Sequence, residues 1–114
     1  MNKSINVSEV IDSPYAVSSE DGEKLNKVLF EAITNNQSYR VSFKRIKSIT
    51  SAFLNSAIGK LYNHFSDEEI DRSIEFNAKE LWLDLIVIVR KNAKEQLQNP
   101  ESYKKSLDKA MEDL

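Results

Sequence analysis

The stretch Val41-Ser42-Phe43-Lys44-Arg45-Ile46-Lys47-Ser48-Ile49-Thr50-Ser51-Ala52-Phe53-Leu54-Asn55-Ser56-Ala57-Ile58-Gly59-Lys60-Leu61 contains a change of hydrophobic period, and that change decides the fold. Tyr39 to Phe43 alternates apolar and polar residues, the two-residue period of a strand. From Phe53 the apolar set is Phe53, Leu54, Ala57, Ile58, Leu61, Tyr62 and Phe65, which is the helical period. Between them, Ile46 and Ile49 lead into Thr50-Ser51. Either hydroxyl can cap a helix running from Ser51 to Phe65.

The same alternation of strand and helix continues on both sides. Upstream, Ile5, Val7, Val10 and Ile11 are β-branched and interspersed with polar residues, which predicts a half-buried strand. Ser13-Pro14 then interrupts the chain. Ser18 and Asp21 approach a capping box, and Glu20, Asp21 and Glu23 place negative charge in a first helical turn. Leu25, Val28, Leu29, Ala32 and Ile33 form the cleanest helical stripe in the chain, and Asn35-Asn36 ends it. Downstream, Ser66 and Glu69 form a capping box for a short helix over 67–72, and Ser73 to Asn77 alternates as a third strand. Leu81 to Val89 is apolar and β-branched in its second half, so strand and helix compete there. Good helix formers flank it on both sides, and helix over 78–98 is preferred. Such a helix is apolar around most of its circumference, which calls for a cover or an interface. Pro100 stops it, and Tyr103, Leu107, Ala110, Met111 and Leu114 give an amphipathic tail helix. The expected organisation is one domain over 1–99 with a tail over 100–114. Strands joined through helices pair in parallel, so the class is α/β.

Composition removes most chemistry. The 114-residue chain has no cysteine, one histidine (His64) and two glycines. Thiol nucleophiles, thiolate metal sites and glycine-rich phosphate loops are therefore absent. His64 is explained by its place near a helix end. The acids Asp67, Glu68, Glu69 and Asp71 lack calcium-loop spacing and suit a helix start. No catalytic residue, metal or cofactor is expected. A formal net charge of −2 argues against a nucleic-acid partner. No apolar run is long enough to span a bilayer, and Met1-Asn2-Lys3-Ser4 has no signal-peptide core, so a cytoplasmic location is expected.

The strand–turn–helix junction at 41–61 resembles a STAS domain, the anti-sigma-factor antagonist fold of bacteria. With Ser13-Pro14-Tyr15-Ala16-Val17-Ser18-Ser19-Glu20-Asp21-Gly22 and Leu25, it resembles more closely the STAS-like family of bacterial and phage proteins. Ser51-Ala52-Phe53 matches that family's Ser-x-Phe element, and the similarity covers roughly residues 4 to 95. The resemblance implies a small βαβαβα domain, with a mixed sheet and helices mainly on one side. It also implies a non-enzymatic regulatory module whose partner is a histidine-kinase-like ATPase or switch kinase. Ser51 falls on the serine that such kinases phosphorylate. Thr50, Ala52 and Phe53 replace the acid, second serine and glycine of the STAS motif.

Two surfaces are therefore expected to matter. The first is the turn and helix at 49–65. Thr50, Ser51, Phe53 and Leu54 would meet the partner there, beside the basic residues Arg40, Lys44, Arg45 and Lys47 of an acid-free stretch from Gln37 to Lys60. The plainer alternatives are a helix cap at Ser51 and a solvated, lysine-bearing strand edge. The second surface is the apolar 81–89 segment, which would make the protein a homo-oligomer or assembly component, a homodimer in its simplest form.

Overall fold

The computed structural model describes residues 3–98. The tail helix expected over 100–114 lies outside them. The elements run β1 (Lys3–Asn6), α1 (Val7–Ile11), β2 (Tyr15–Ala16), α2 (Ser19–Thr34), β3 (Tyr39–Ser42) and β4 (Ser48–Ile49). They continue with α3 (Ser51–Ala57), a 3-10 turn (Gly59–Asn63), α4 (Asp67–Ser73), β5 (Ile74–Asn77) and α5 (Glu80–Gln98).

The central sheet has the order β1-β3-β5, and β2 pairs with β4 in a two-residue ladder beside it. Both ladders of the central sheet and the small one are parallel. This is what helical crossovers between successive strands produce. The register aligns Ile5, Val41 and Phe76 across the sheet, and next to them Ser4, Arg40 and Glu75. Ile5, Val41 and Ile74 are buried, while Ser4, Arg40 and Glu75 are exposed. One face therefore carries the core and the other is polar and open, so the helices cover a single side, as expected. Parallel sheets are usually covered on both faces. Here the second face is made compatible with water by its polar rows and by the Arg40–Glu75 ion pair at 3.4 Å.

α2 forms where its stripe predicts. The Ser18 hydroxyl accepts from the Asp21 N–H, Leu25, Leu29, Ala32 and Ile33 are buried, and Asn36 takes a left-handed φ of 54° just past the end. Ser66 and Glu69 complete the capping box at the start of α4. α5 is a helix, with Ile86 and Val89 in the core.

Two expectations are corrected. The strand read from Ile5 to Ile11 ends at Asn6, and Val7–Ile11 is helical. Val7 and Ile11 are four apart and both are buried, so one helical turn places both on the core side. A five-residue segment satisfies either period. The helix expected from Ser51 to Phe65 is broken after Ala57, where Ile58 and Gly59 start the 3-10 turn. Asn26 Nδ2 donates to the Ala57 carbonyl at 3.1 Å and so satisfies an acceptor at the end of α3. Glycine at position 59 further weakens helix continuation.

Candidate functional site

The segment singled out by sequence is built around the start of α3. Thr50 is tied down three times. Its N–H donates to the Ala16 carbonyl at 3.1 Å, its hydroxyl donates to the Val17 carbonyl at 2.6 Å, and the same oxygen accepts from the Phe53 N–H at 3.2 Å. Thr50 is therefore the cap, and Ser51 stands exposed at the first helical position. The expectation that Phe53 and Leu54 meet a partner is corrected by their burial. Both have 0% exposure, because the helical stripe that contains them points into the core. They support the surface from beneath and cannot contact a partner in this fold.

The exposed side of the same segment is different in character. α2 lies close against α3 at Gly22, and Lys60 pairs with Glu23 at 3.0 Å. Along the far flank runs a groove of about 870 Å³. Ser19, Ala52, Asn55 and Gly59 line one side of it, and Asn92 and Gln96 of α5 line the other. Lys60 is the single charged residue in its lining. Small side chains and amides leave room for another chain, and the amides supply both donors and acceptors to it. These residues were not singled out from sequence. Ala52, Asn55, Gly59 and Asn63 recur at helical spacing on the face opposite the apolar stripe, and that complement is the signal that could have found them.

The α5 wall of the groove is held by a polar cluster. Arg90 Nη2 contacts Asp67 at 3.0 Å and Asp71 at 2.7 Å, and Lys94 Nζ contacts Asp67 at 2.6 Å. Arg90 Nε donates to the Tyr62 hydroxyl at 2.5 Å, and that hydroxyl donates to Asp67. The Lys94 hydrogen bond, with further bonds from Tyr62 and Arg90, holds the Asp67 carboxyl down at about 2. Burial, together with the hydrogen bond to Asp67, pushes the Tyr62 hydroxyl up to about 12. For Asp67 the folded value lies below the unfolded 3.8, so its stabilisation is present above about pH 4 and lost as pH falls towards 2. With a carboxylate one third exposed, screening leaves about 1 kcal/mol of this. Asp67→Asn is therefore expected to lower stability by about 1 kcal/mol at pH 7 and to flatten the stability curve between pH 4 and 2, as read by urea unfolding. Tyr62 works in the other direction: its contribution persists below pH 10 and is lost as pH rises towards 12.

The basic residues expected beside the turn do not join this groove. Arg40 sits in the middle of the open sheet face, paired with Glu75. Lys44 and Arg45 line two other clefts, and Lys47 is exposed between them and β4. His64 follows the 3-10 turn, exposed, with its ring edge-on to Phe30 at 5.2 Å. Among the described residues no cluster of histidine and carboxylate side chains could hold a metal ion, and no helix is long and apolar enough to cross a membrane.

Comparison with known families gives a match over about half of the chain. The model of a STAS-like domain of unknown function (DUF4325) covers residues 21–78, which run from the first turn of α2 through β5 to the residue after it. No curated protein and no solved structure matches the chain.

Proposed function

The chain belongs to the STAS-like DUF4325 family, and from that premise we propose that it is a non-enzymatic regulatory module that binds a partner protein through the exposed side of residues 49–65. The observation that carries this reading is the groove beside α3. It coincides with the segment on which the STAS resemblance rests, it is large enough for a helix or extended strand of a partner, and it is lined with groups suited to contact rather than catalysis. The partner class is a histidine-kinase-like ATPase of the switch-kinase type, and Ser51 is its phosphorylation site. Two features support Ser51 in that role. Thr50 already performs the capping, so Ser51 has no structural duty there, and its side chain is exposed. A phosphate on Ser51 would add negative charge one residue before Ala52 of the groove's lining, whose single charge is Lys60, and so toggle the complex.

Capture of such an ATPase by wild type, Asn55→Arg and Ser51→Glu tests the reading. Both positions are exposed, so both variants should fold. Each is expected to weaken capture by about tenfold or more, since a bulky or charged group is placed in a desolvated contact. Unchanged capture by both would reject the groove. Incubation with the ATPase and ATP should add one phosphate to wild type and none to Ser51→Ala, read by intact mass.

A second reading rests on α5. Leu81, Val87 and Ile88 are 75%, 63% and 53% exposed, a concentration of large apolar side chains on one helix. They support a homodimer through 81–89. Light scattering on a sizing column should then give twice the chain mass for wild type and one chain mass for Val87→Glu/Ile88→Glu. A monomer at high concentration would reject this reading.

A further inference from the structure

The β1, β3 and β5 strands all run in parallel and all end at the same edge of the sheet, where the register aligns Asn6, Ser42 and Asn77. Open parallel sheets characteristically bind ligands outside the carboxyl ends of their strands. Two clefts open there, of about 220 and 390 Å³, and Lys44 and Arg45 line both. The larger is walled by Phe43, Ile46, Ala78 and the half-buried Trp82, with Lys79 at its rim. Lys79 Nζ stands 5.1 Å from the Trp82 ring centroid, and Phe43 meets the same ring edge-on at 6.4 Å.

Charge here is unbalanced. Among the described residues, Lys44, Arg45 and Lys79 take part in no ion pair, and Glu9 is the one acid lining either cleft. Arg45 is also held at φ 71° in the turn closed by the Ile46 N–H to the Phe43 carbonyl at 3.1 Å. Glycine or asparagine is the usual residue there. The conformation has nothing to recommend arginine, so its side chain is not explained by the turn.

We propose that this edge is a second binding site, for an acidic peptide segment of a partner protein that seats one apolar side chain on Trp82 and Phe43 and flanking carboxylates on Lys44, Arg45 and Lys79. Three features favour a peptide over a compact anion. Lys44 and Arg45 line both clefts and Lys79 the larger, so the positive charge extends beyond a single pocket. The larger cleft has an aromatic and aliphatic wall. The Asn6, Ser42 and Asn77 side chains offer donors and acceptors suited to a peptide backbone. Neither cleft shares a lining residue with the groove beside α3, so the two sites stand or fall separately.

Trp82 is the chain's one tryptophan, so its fluorescence reads the site directly. The probe is a blocked seven-residue peptide with four glutamates around a central leucine, and its control carries glutamines instead. At low salt the glutamate peptide is expected to give a saturable change in Trp82 emission that weakens as salt rises, and the glutamine peptide none. Lys44→Ser/Arg45→Gly/Lys79→Ser is expected to weaken binding about tenfold or more, with the circular dichroism spectrum of wild type. Glycine at 45 suits the turn, so loss of binding there cannot be assigned to misfolding. The proposal is overturned if the glutamate peptide shows no saturation, if the triple variant binds like wild type, or if both peptides bind equally. Displacement of the peptide by inorganic phosphate, but not by chloride at equal ionic strength, would also overturn it in favour of a small-anion site.

Discussion

Gly22→Val is expected to leave most of the chain unfolded at 37 °C, and Gly22→Ala to lower the melting temperature by about 8 °C. In an ordinary exposed helix position, glycine to alanine stabilises by up to about 1 kcal/mol. Here the sign reverses. A Cβ built on Gly22 lies 2.5 Å from the Phe53 carbonyl oxygen and 2.7 Å from Ser56 Cβ. The first neighbour is backbone in the middle of α3, which cannot rotate away. Alanine must therefore push α2 from α3 across the largest helix interface of the core, at a net cost of about 2 kcal/mol. Valine adds two methyl groups to the same space and is expected to cost more than about 4 kcal/mol, comparable with the whole stability of a small domain. Thermal unfolding followed by circular dichroism measures both. A raised melting temperature for Gly22→Ala would mean that α2 and α3 do not approach this closely.

Leu54→Asp and Asn55→Asp are expected to differ sharply, although the two positions are adjacent. Leu54 is fully buried among the core side chains, whereas Asn55 is exposed at the groove. Aspartate at 54 loses the burial of a leucine, worth about 2–3 kcal/mol, and places an unpaired carboxylate in an apolar interior at several kcal/mol more. That sum approaches or exceeds the stability available, so the variant should be insoluble or unfolded. Aspartate at 55 should change stability by no more than about 0.5 kcal/mol. Urea denaturation of the two proteins gives the comparison. A folded, soluble Leu54→Asp would show that residue 54 faces outward, and with it that the register of α3 is wrong.

That pair also shows where sequence reasoning succeeds and where it stops. The period at 53–65 correctly marks Phe53 and Leu54 as one face of a helix. The same period excludes them from a partner surface, because a stripe that packs the core cannot also be presented to solvent. The open side is carried by Ala52 and Asn55 of α3 and by Gly59 of the 3-10 turn, small or neutral polar residues that are marked in the sequence only as the complement of the apolar stripe. Capping at Ser18 and Ser66 was legible because a hydroxyl at a fixed offset accepts a particular backbone N–H, and at Ser66 the Glu69 carboxylate completes the box. The one-turn helix at Val7–Ile11 was not, since five residues fit both periods and the decision belongs to the core beneath them. The two-residue ladder of Tyr15–Ala16 with Ser48–Ile49 is also invisible in the chain order, as it depends on where α2 and the 43–46 turn leave their ends. In the polar cluster of Tyr62, Asp67, Arg90 and Lys94, the bonds that α5 makes to the other two elements span 23 to 28 positions of sequence, and no local pattern brings such residues together.

The open polar face of the sheet and the groove beside α3 divide the surface into regions of different chemistry. On the function proposed above, the chain acts by presenting such a surface, so the place of contact is the central question. Hydrogen exchange on the complex with a histidine-kinase-like ATPase answers it most directly. If the groove is the docking surface, the amides of Ser51–Asn63 and those around Asn92–Gln96 are protected on binding, while Ser4, Arg40 and Glu75 on the open sheet face keep their free rates. Protection confined to the sheet face, with the groove exchanging as it does in the free protein, would contradict it.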